Sequence, residues 1–243
     1  LGGVLEAAQT GEQLEIAAAV GQLWGDVRTS DFASRAEAFA EEIFVAQPHL
    51  IGLQEVSWFA ASDVNFPLTG DDPIPGTAET IDYLDILLEK LDDRGLAYTA
   101  VATTSNIAVE LPALVDLSTF AFQDIQYMDR DVILARTDLP APAMTVSNAD
   151  GGNYAVNVPL DLGGEELLIL RGWNSVDVQV WGQDFRVVNT HLEDFNPDIP
   201  ELGQVQMARA TELAGPGGAT DAEWPEILLG DVHAPAAGSG TQT

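Results

Sequence analysis

Apolar residues recur at helical spacing in the first hundred residues and near residue 205. Phe32, Ala36, Phe39 and Ile43 fall on one face of a helix, and a set of leucines between 84 and 91 does the same. Capping residues and helix breakers set the expected ends of these segments. We predict helices over 12–26, from Ser30 or Asp31 to Pro48, from Thr77 or Thr80 to Gly95, and over 198–214.

Between residues 97 and 190 the pattern changes to short β-rich segments separated by Gly, Pro, Asn and Asp. Buried strands are also expected at Leu50–Leu53 and Ile227–Leu229, and a loop over 61–78. The order predicts a layered α/β architecture with at least one antiparallel sheet, as a single domain over 1–243. The predicted central strands cover 97–103, 118–127, 131–136, 142–148, 153–160, 165–171, 174–181 and 184–190.

The net charge of the chain disfavours some classes of binding partner. The 243 residues contain 39 Asp and Glu but only 9 Lys and Arg, for a net charge of −30, and no cysteine. Such a surface repels nucleic acid and anionic membranes at low salt. We favour adaptation to high salt; a small substrate that needs only a local cationic or metal site is the alternative. The lack of cysteine excludes disulfides, thiolate zinc sites and a cysteine nucleophile.

Polar residues stand where three buried strands are expected to end. Glu55 follows the strand Leu50–Leu53, and His191 follows the strand Phe185–Thr190. Asp231 comes after Ile227–Leu229, and His233 lies two residues further on. A carboxylate after an apolar strand usually meets a cation or solvent. Two carboxylates and two imidazoles could hold a divalent metal and move protons; alternatively, each is a turn residue.

Three segments resemble successive motifs of the endonuclease/exonuclease/phosphatase superfamily, which includes deoxyribonuclease I. Segments 51–56, 187–192 and 227–233 read IGLQEV, VVNTHL and ILLGDVH, and 129–134 reads DRDVIL, like the segment before the family's central strands. The order and spacing of the motifs agree with the family over residues 30–233. The resemblance implies a four-layer α/β/β/α sandwich with the active site at one edge.

The resemblance also implies roles for individual residues. Glu55 and Asp231 match metal-site carboxylates for Mg²⁺ or Mn²⁺, and Asp231 also orients or deprotonates the attacking water. His191 matches the histidine that hydrogen-bonds or protonates phosphate oxygens. Arg130 and Asn189 are the candidate substrate-binding residues.

The sequence departs from the family pattern in two ways. His233 stands where the family has Asn, so it could replace a hydrogen bond, ligate a metal or spoil the site. The family's first strand with its Asn and its last strand with an Asp-His pair have no counterpart, so we expect a chain truncated at both ends. A catalytically impaired relative that acts as a binding protein is therefore the alternative function.

The expected function is a metal-dependent phosphoester hydrolase, either a phosphodiesterase, a phosphatase or a nuclease. Its partner would be a phosphoester substrate: a small molecule, a lipid headgroup or nucleic acid. We expect a secreted or extracellular protein without stable membrane insertion. No Gly-x-Ser-x-Gly elbow supports a serine hydrolase; spacing alone does not exclude a paired-acid glycosidase, since acids are abundant.

Overall fold

A computed structural model describes residues 2–8, 10–63, 79–161, 166–192 and 200–233. The helix predicted over 12–26 runs three residues further, and the one predicted after Asp31 is capped by that carboxylate, which accepts a hydrogen bond from the Ser34 N–H. The first helix was not predicted. The described helices are α1 (Gly2–Ala8), α2 (Gln13–Thr29), α3 (Phe32–Ala46), α4 (Tyr83–Asp92) and α5 (Pro200–Ala214).

The described strands form two larger sheets and a small hairpin. Their bounds are β1 (Leu50–Leu53), β2 (Trp58–Asp63), β3 (Glu79–Asp82), β4 (Tyr98–Asp116), β5 (Ala121–Arg136), β6 (Met144–Asn153), β7 (Val158–Asp161), β8 (Glu166–Ile169), β9 (Gly172–Val180), β10 (Gln183–His191) and β11 (Glu226–Asp231).

Strand β5 organises the first sheet. Along one side it pairs antiparallel with β4, and along the other with β1 and β2 in succession. Leu53, the last residue of β1, is opposite Val132 of β5. Glu55 therefore lies beside the stretch of β5 that carries Asp131.

The second sheet has the order β11-β10-β9-β6. β10 pairs antiparallel with β9 but parallel with β11, in a register that sets His191 opposite Asp231. Parallel neighbours need a crossover connection, and α5 lies in the segment between them. The carboxyl ends of β10 and β11 therefore meet at one edge of the sheet.

The described elements stack in four layers. Helices α2, α3 and α4 cover one face of the first sheet, where Val132 and Leu134 of β5 pack against Ala36 and Leu87. The opposite face carries Ile133, which packs against the second sheet. α5 covers the outer face of the second sheet, as Leu213 packs against Val188. The predicted α/β/β/α sandwich is confirmed.

Several predicted boundaries were wrong. Trp58–Asp63 is a strand that the sequence analysis did not predict and whose end it assigned to a loop, and residues 79–82 form β3 rather than the start of a helix. The segments predicted as 118–127 and 131–136 are one strand, paired with a β4 that continues far beyond residue 103. Residues 64–78 of the predicted loop, the Thr77 cap and the start of the helix predicted at 198 lie outside the described residues.

No helix in the described part of the chain is long and apolar enough to cross a membrane.

Candidate active site

The layer between the two sheets changes from apolar to polar towards one edge. Ile133, Val176 and Val187 fill its centre. Side chains on one face of a strand are two residues apart, so counting in twos from these three residues gives the next inward positions towards that edge. They are buried and polar: Asp131 and then Asp129 on β5, Asn174 on β9, and Asn189 and then His191 on β10. Polar groups from three strands thus converge on one edge of the sandwich.

Asn189 joins the two sheets at this edge. Its fully buried amide donates to the carbonyl oxygen of Leu53 at 3.1 Å and lies 3.5 Å from that of Val132. Its own oxygen accepts a hydrogen bond from the Gln54 amide. These contacts use the amide to hold the end of β1 against β10, and the predicted contact of Asn189 with substrate stays a prediction.

Glu55 lies two residues past the end of β1 with its side chain exposed to solvent. Its backbone adopts a left-handed conformation, with φ of 55°, which is unusual for a residue other than glycine. The carbonyl oxygen of Glu55 accepts a hydrogen bond from the Ser57 N–H at 2.8 Å, and the N–H of the next residue, Val56, donates to the carbonyl oxygen of Arg130 at 2.8 Å. These two hydrogen bonds hold the backbone here while the carboxylate faces outward.

His191, Asp231 and His233 come together at the carboxyl ends of β10 and β11. The Nε2 atoms of His191 and His233 are 3.2 Å apart, and His233 Nε2 is 3.6 Å from Asp231 Oδ1. One ligand atom from each of the three residues lies within 4.8 Å of the others. The β10–β11 register brings together three of the predicted catalytic and metal residues.

Burial sets the charge of His191. The side chain is 1% exposed, and its burial, reinforced by the positive charge of Arg171, lowers its pKa to about 3. His191 is therefore a neutral imidazole at pH 7, a form that suits hydrogen bonding rather than proton donation by an imidazolium.

A buried polar cluster formed by Asn106, Asp129 and Asp131 was not predicted from the sequence. The Asn106 amide donates to both carboxylates, at 3.2 Å and 2.9 Å. Burial raises the pKa of Asp129 and raises that of Asp131 to about 7. Arg171, also missed, lies 3.4 Å from Asp129. Two aspartates at strand spacing before Val132 were a visible signal, whereas nothing in the sequence marked Asn106, which lies at a bulge of β4.

Arg130 is engaged elsewhere. Its guanidinium donates to the Asp82 carboxylate at 2.6 Å and to the carbonyl oxygen of Val56 at 3.1 Å. Asp82 is also the N-cap of α4. Arg130 thus connects β5 to the start of that helix. Its contact with a phosphate stays a prediction, and it would require Arg130 to break its ion pair with Asp82.

The donors fit magnesium only in part. Mg²⁺ prefers carboxylate, carbonyl and water oxygens. In the described chain, the residues that lie within metal-binding distance of each other offer two imidazole nitrogens and one carboxylate, and Glu55 is outside that group. Glu55 provides a further exposed carboxylate at the same edge, since the contacts of Asn189 hold the end of β1 there.

A cavity of about 610 Å³ opens beside Glu55. Phe32, Phe39 and Ile43 line its apolar part, and Glu55 and Arg171 are among the polar residues that line it. It therefore offers room for an apolar group next to the carboxylate.

The fold and site define a layered α/β protein with a His-Asp-His group at one edge of its sandwich. No protein-family model and no curated protein matches the sequence. Solved structures are similar at low identity. An endonuclease/exonuclease/phosphatase family protein from Leptotrichia buccalis is 18% identical with a TM-score of 0.47, over 84% of this chain and 62% of that one.

Two further similar structures carry the names of individual proteins rather than of a family. A humanized D. rerio TDP2 is 14% identical with a TM-score of 0.43, over 86% of this chain and 59% of that chain. A mannosyl-6-phosphatase from Bacteroides thetaiotaomicron is 14% identical with a TM-score of 0.43, over 86% and 60%. This chain therefore spans about 60% of the length of these proteins. The Leptotrichia protein bears the name of the superfamily that the three sequence motifs resemble.

Proposed function

We propose that this protein is a phosphoester hydrolase assisted by a divalent cation, with its active site at the polar edge of the sandwich. The observation that carries the proposal is the grouping of His191, Asp231 and His233 within 4.8 Å, beside a buried polar layer. His191 and His233 are 42 positions apart along the chain. The fold brings them together, which supports the phosphoesterase site predicted from the sequence motifs.

Each side chain supports a distinct part of the reaction. Asp231 has an exposed carboxylate that can orient and deprotonate an attacking water. His191, neutral and buried in β10, offers its Nε2 either as an N–H donor to a phosphoryl oxygen or, in the other tautomer, as a nitrogen ligand to the cation. Glu55 would hold the cation together with Asp231. A divalent cation at such a site polarises the phosphoryl oxygen and neutralises charge in the transition state.

The charges favour a small substrate over duplex nucleic acid. Binding a polyanion requires several unpaired cations on one face. Seven of the nine basic side chains form ion pairs with carboxylates: Arg28, Lys90, Arg94, Arg130, Arg136, Arg171 and Arg186. We therefore propose a small phosphodiester or phosphomonoester, including a lipid headgroup, as the substrate class.

One observation favours the alternative, a catalytically impaired relative that binds without turnover. His233 Nε2 lies 3.2 Å from His191 Nε2 and so occupies the position from which His191 would reach a phosphoryl oxygen. In that case, the two imidazoles hydrogen-bond to each other and the site does not accept a substrate.

The test is hydrolysis of bis-p-nitrophenyl phosphate and p-nitrophenyl phosphate, with Mg²⁺, Mn²⁺ or EDTA, alongside plasmid nicking, each from 0.1 to 2 M salt. Asp231→Asn should lower the rate by about 10²–10⁴-fold. Asp184→Asn, at the opposite end of β10 and exposed, should leave it unchanged. A folded protein that cleaves no ester with either cation supports the binding alternative, and nicking at 0.1 M salt without cleavage of the small esters contradicts the substrate class.

A further inference from the structure

We propose that His191, Asp231 and His233 form a binding site that selects a borderline transition-metal ion, with Zn²⁺ as the reference ion, over Mg²⁺. The inference deepens the proposed function, on which it rests only for the catalytic use of the ion. The site itself is argued from the geometry and chemistry of three side chains.

The spacing of the donors fits a tetrahedral ion. Zn²⁺ bonds imidazole nitrogen and carboxylate oxygen at about 2.0–2.2 Å, so two ligands at a tetrahedral angle are about 3.3–3.5 Å apart. Two of the three separations are close to this range, at 3.2 Å between the two Nε2 atoms and 3.6 Å between His233 Nε2 and Asp231 Oδ1, and the third, between His191 and Asp231, is within 4.8 Å. Octahedral Mg²⁺, with bonds of about 2.0–2.1 Å, sets adjacent ligands only about 2.9 Å apart.

The donor types point the same way. Imidazole suits zinc, copper, iron and nickel, whereas carboxylate, carbonyl and water suit magnesium. Two of the three donors here are imidazole nitrogens. Residue 233 thus contributes a nitrogen, a donor that magnesium does not prefer.

The backbone fixes all three donors before an ion arrives. His191 lies on the buried end of β10, opposite Asp231 in the parallel register. The N–H of His233 donates to Asp231 Oδ1 at 3.3 Å, within a turn in which His233 has φ of 47°. Donors that are held in place lose little conformational freedom when they bind an ion.

The site also keeps an open side. The Asp231 side chain is 52% exposed and that of His233 26%, so an ion held by the three residues faces solvent. Three protein ligands with an open fourth position are typical of catalytic rather than structural zinc. The open position lies on the exterior of the sandwich edge, where a phosphoryl oxygen or a water could bind.

The experiment measures metal binding directly. Protein stripped with EDTA is titrated with Zn²⁺ and, separately, Mg²⁺ by calorimetry in 0.5 M KCl, which screens weak binding to the many surface carboxylates. Co²⁺ then replaces Zn²⁺, and its visible absorption reports the coordination geometry. We expect one Zn²⁺ per chain, bound at least about 100-fold more tightly than Mg²⁺, and a tetrahedral Co²⁺ spectrum.

Two variants locate the ion. His233→Asn should weaken Zn²⁺ binding by at least about 10–100-fold, the loss typical of removing an outer-shell partner of a metal ligand. His233→Gln repeats the change with a longer side chain if circular dichroism shows that the first variant folds poorly. His49→Asn is the matched control, since His49 is the one histidine of the sequence outside the proposed site and directly precedes β1. It should leave Zn²⁺ affinity unchanged.

The outcomes separate this inference from the proposed function. Zn²⁺ affinity that His233→Asn does not alter, or tighter binding of Mg²⁺ than of Zn²⁺, overturns the inference and shows that the two imidazoles simply hydrogen-bond to each other. Zn²⁺ binding that depends on His233, in a protein that hydrolyses no ester, supports the metal site and overturns the hydrolase. Mg²⁺-dependent hydrolysis without Zn²⁺ binding supports the hydrolase and overturns the zinc site.

Discussion

The side-chain amide of Asn189 donates a hydrogen bond to the carbonyl oxygen of Leu53 at 3.1 Å and so connects the second sheet to the strand that ends just before Glu55. Glu55 is exposed, and no hydrogen bond or ion pair joins its carboxylate to another of the described residues. Its placement relative to His191 therefore depends on how closely β1 approaches β10.

Gly52 sets that approach, and Gly52→Ala tests it. A Cβ at residue 52 would lie 2.6 Å from Asn189 Oδ1 and 3.0 Å from the Leu229 side chain. Because Asn189 is held by other hydrogen bonds, we expect the free energy of unfolding to fall by about 1–3 kcal/mol, together with a loss of hydrolysis. Urea unfolding measures the first and the p-nitrophenyl esters the second.

Gly25→Ala is the matched control. Gly25 lies inside α2, and a Cβ at this position would have no atom of the described residues within 4 Å beyond its own stretch of helix. Alanine there should stabilise the protein by about 0.5–1 kcal/mol. Equal effects at the two glycines would show that the sheet contact at Gly52 is not tight.

Arg130→Met tests whether this arginine supports the fold or the substrate. The change removes the ion pair with Asp82 and the hydrogen bond to Val56, so we expect the unfolding free energy to fall by about 1–3 kcal/mol. A double-mutant cycle with Asp82→Asn should show coupling between the two residues. An unchanged stability with a raised KM for the ester would instead support the predicted phosphate contact.

Stability should depend on pH through two buried groups with opposite signs. The pKa of Asp131 is about 7, against 3.8 for an ordinary aspartate. The folded state therefore keeps a proton that the unfolded state has released, and this contribution to stability is lost as the pH rises from about 4 to 7. The pKa of His191 is about 3, against 6.5, so its contribution is gained as the pH rises from about 3 to 6.5.

Two variants separate these contributions by urea unfolding from pH 3.5 to 7.5. The unfolding free energy of Asp131→Asn minus that of the wild type should increase with pH, and the same difference for His191→Asn should decrease. Each change should be on the order of 2–4 kcal/mol. Differences are used because 39 acidic residues shape the absolute profile; differences that do not vary with pH would contradict the shifts.

Salt should stabilise the protein at neutral pH. The net charge of −30 generates self-repulsion in the folded state, and raising NaCl from 0.1 to 1 M shortens the Debye length from about 10 Å to 3 Å. We expect Tm to rise by about 5 °C or more. Near the isoelectric point, about 4.1, the same salt series should have a much smaller effect; equal effects at both pH values would argue against charge screening.

The α/β class and the positions of the strand ends could be predicted because both follow from local pattern, whereas the four layers were predicted from the resemblance of the motifs. Leu50–Leu53 and Ile227–Leu229 are short apolar runs that end in acids, and such runs are recognisable without knowledge of their neighbours. Residues 58–63 were missed because Phe59, Ala60 and Ala61 are all buried, so the alternation of a half-exposed strand is absent.

The buried polar cluster was missed for a different reason. Asp129 and Asp131 look like solvent-facing strand residues, and the partner that they share, Asn106, lies at a bulge of β4. In the same way, the engagement of Arg130 depends on Asp82, 48 residues away along the chain. Pairings between distant residues are not encoded in local periodicity.

The parallel pairing of β10 with β11 has a consequence for biosynthesis. β11 is the last of the described strands, and its Asp231 faces His191 only after the intervening 40 or so residues have been made. Until residue 233 has emerged from the ribosome, a nascent chain therefore displays Glu55 and His191 without their partner, and the His-Asp-His group assembles only afterwards.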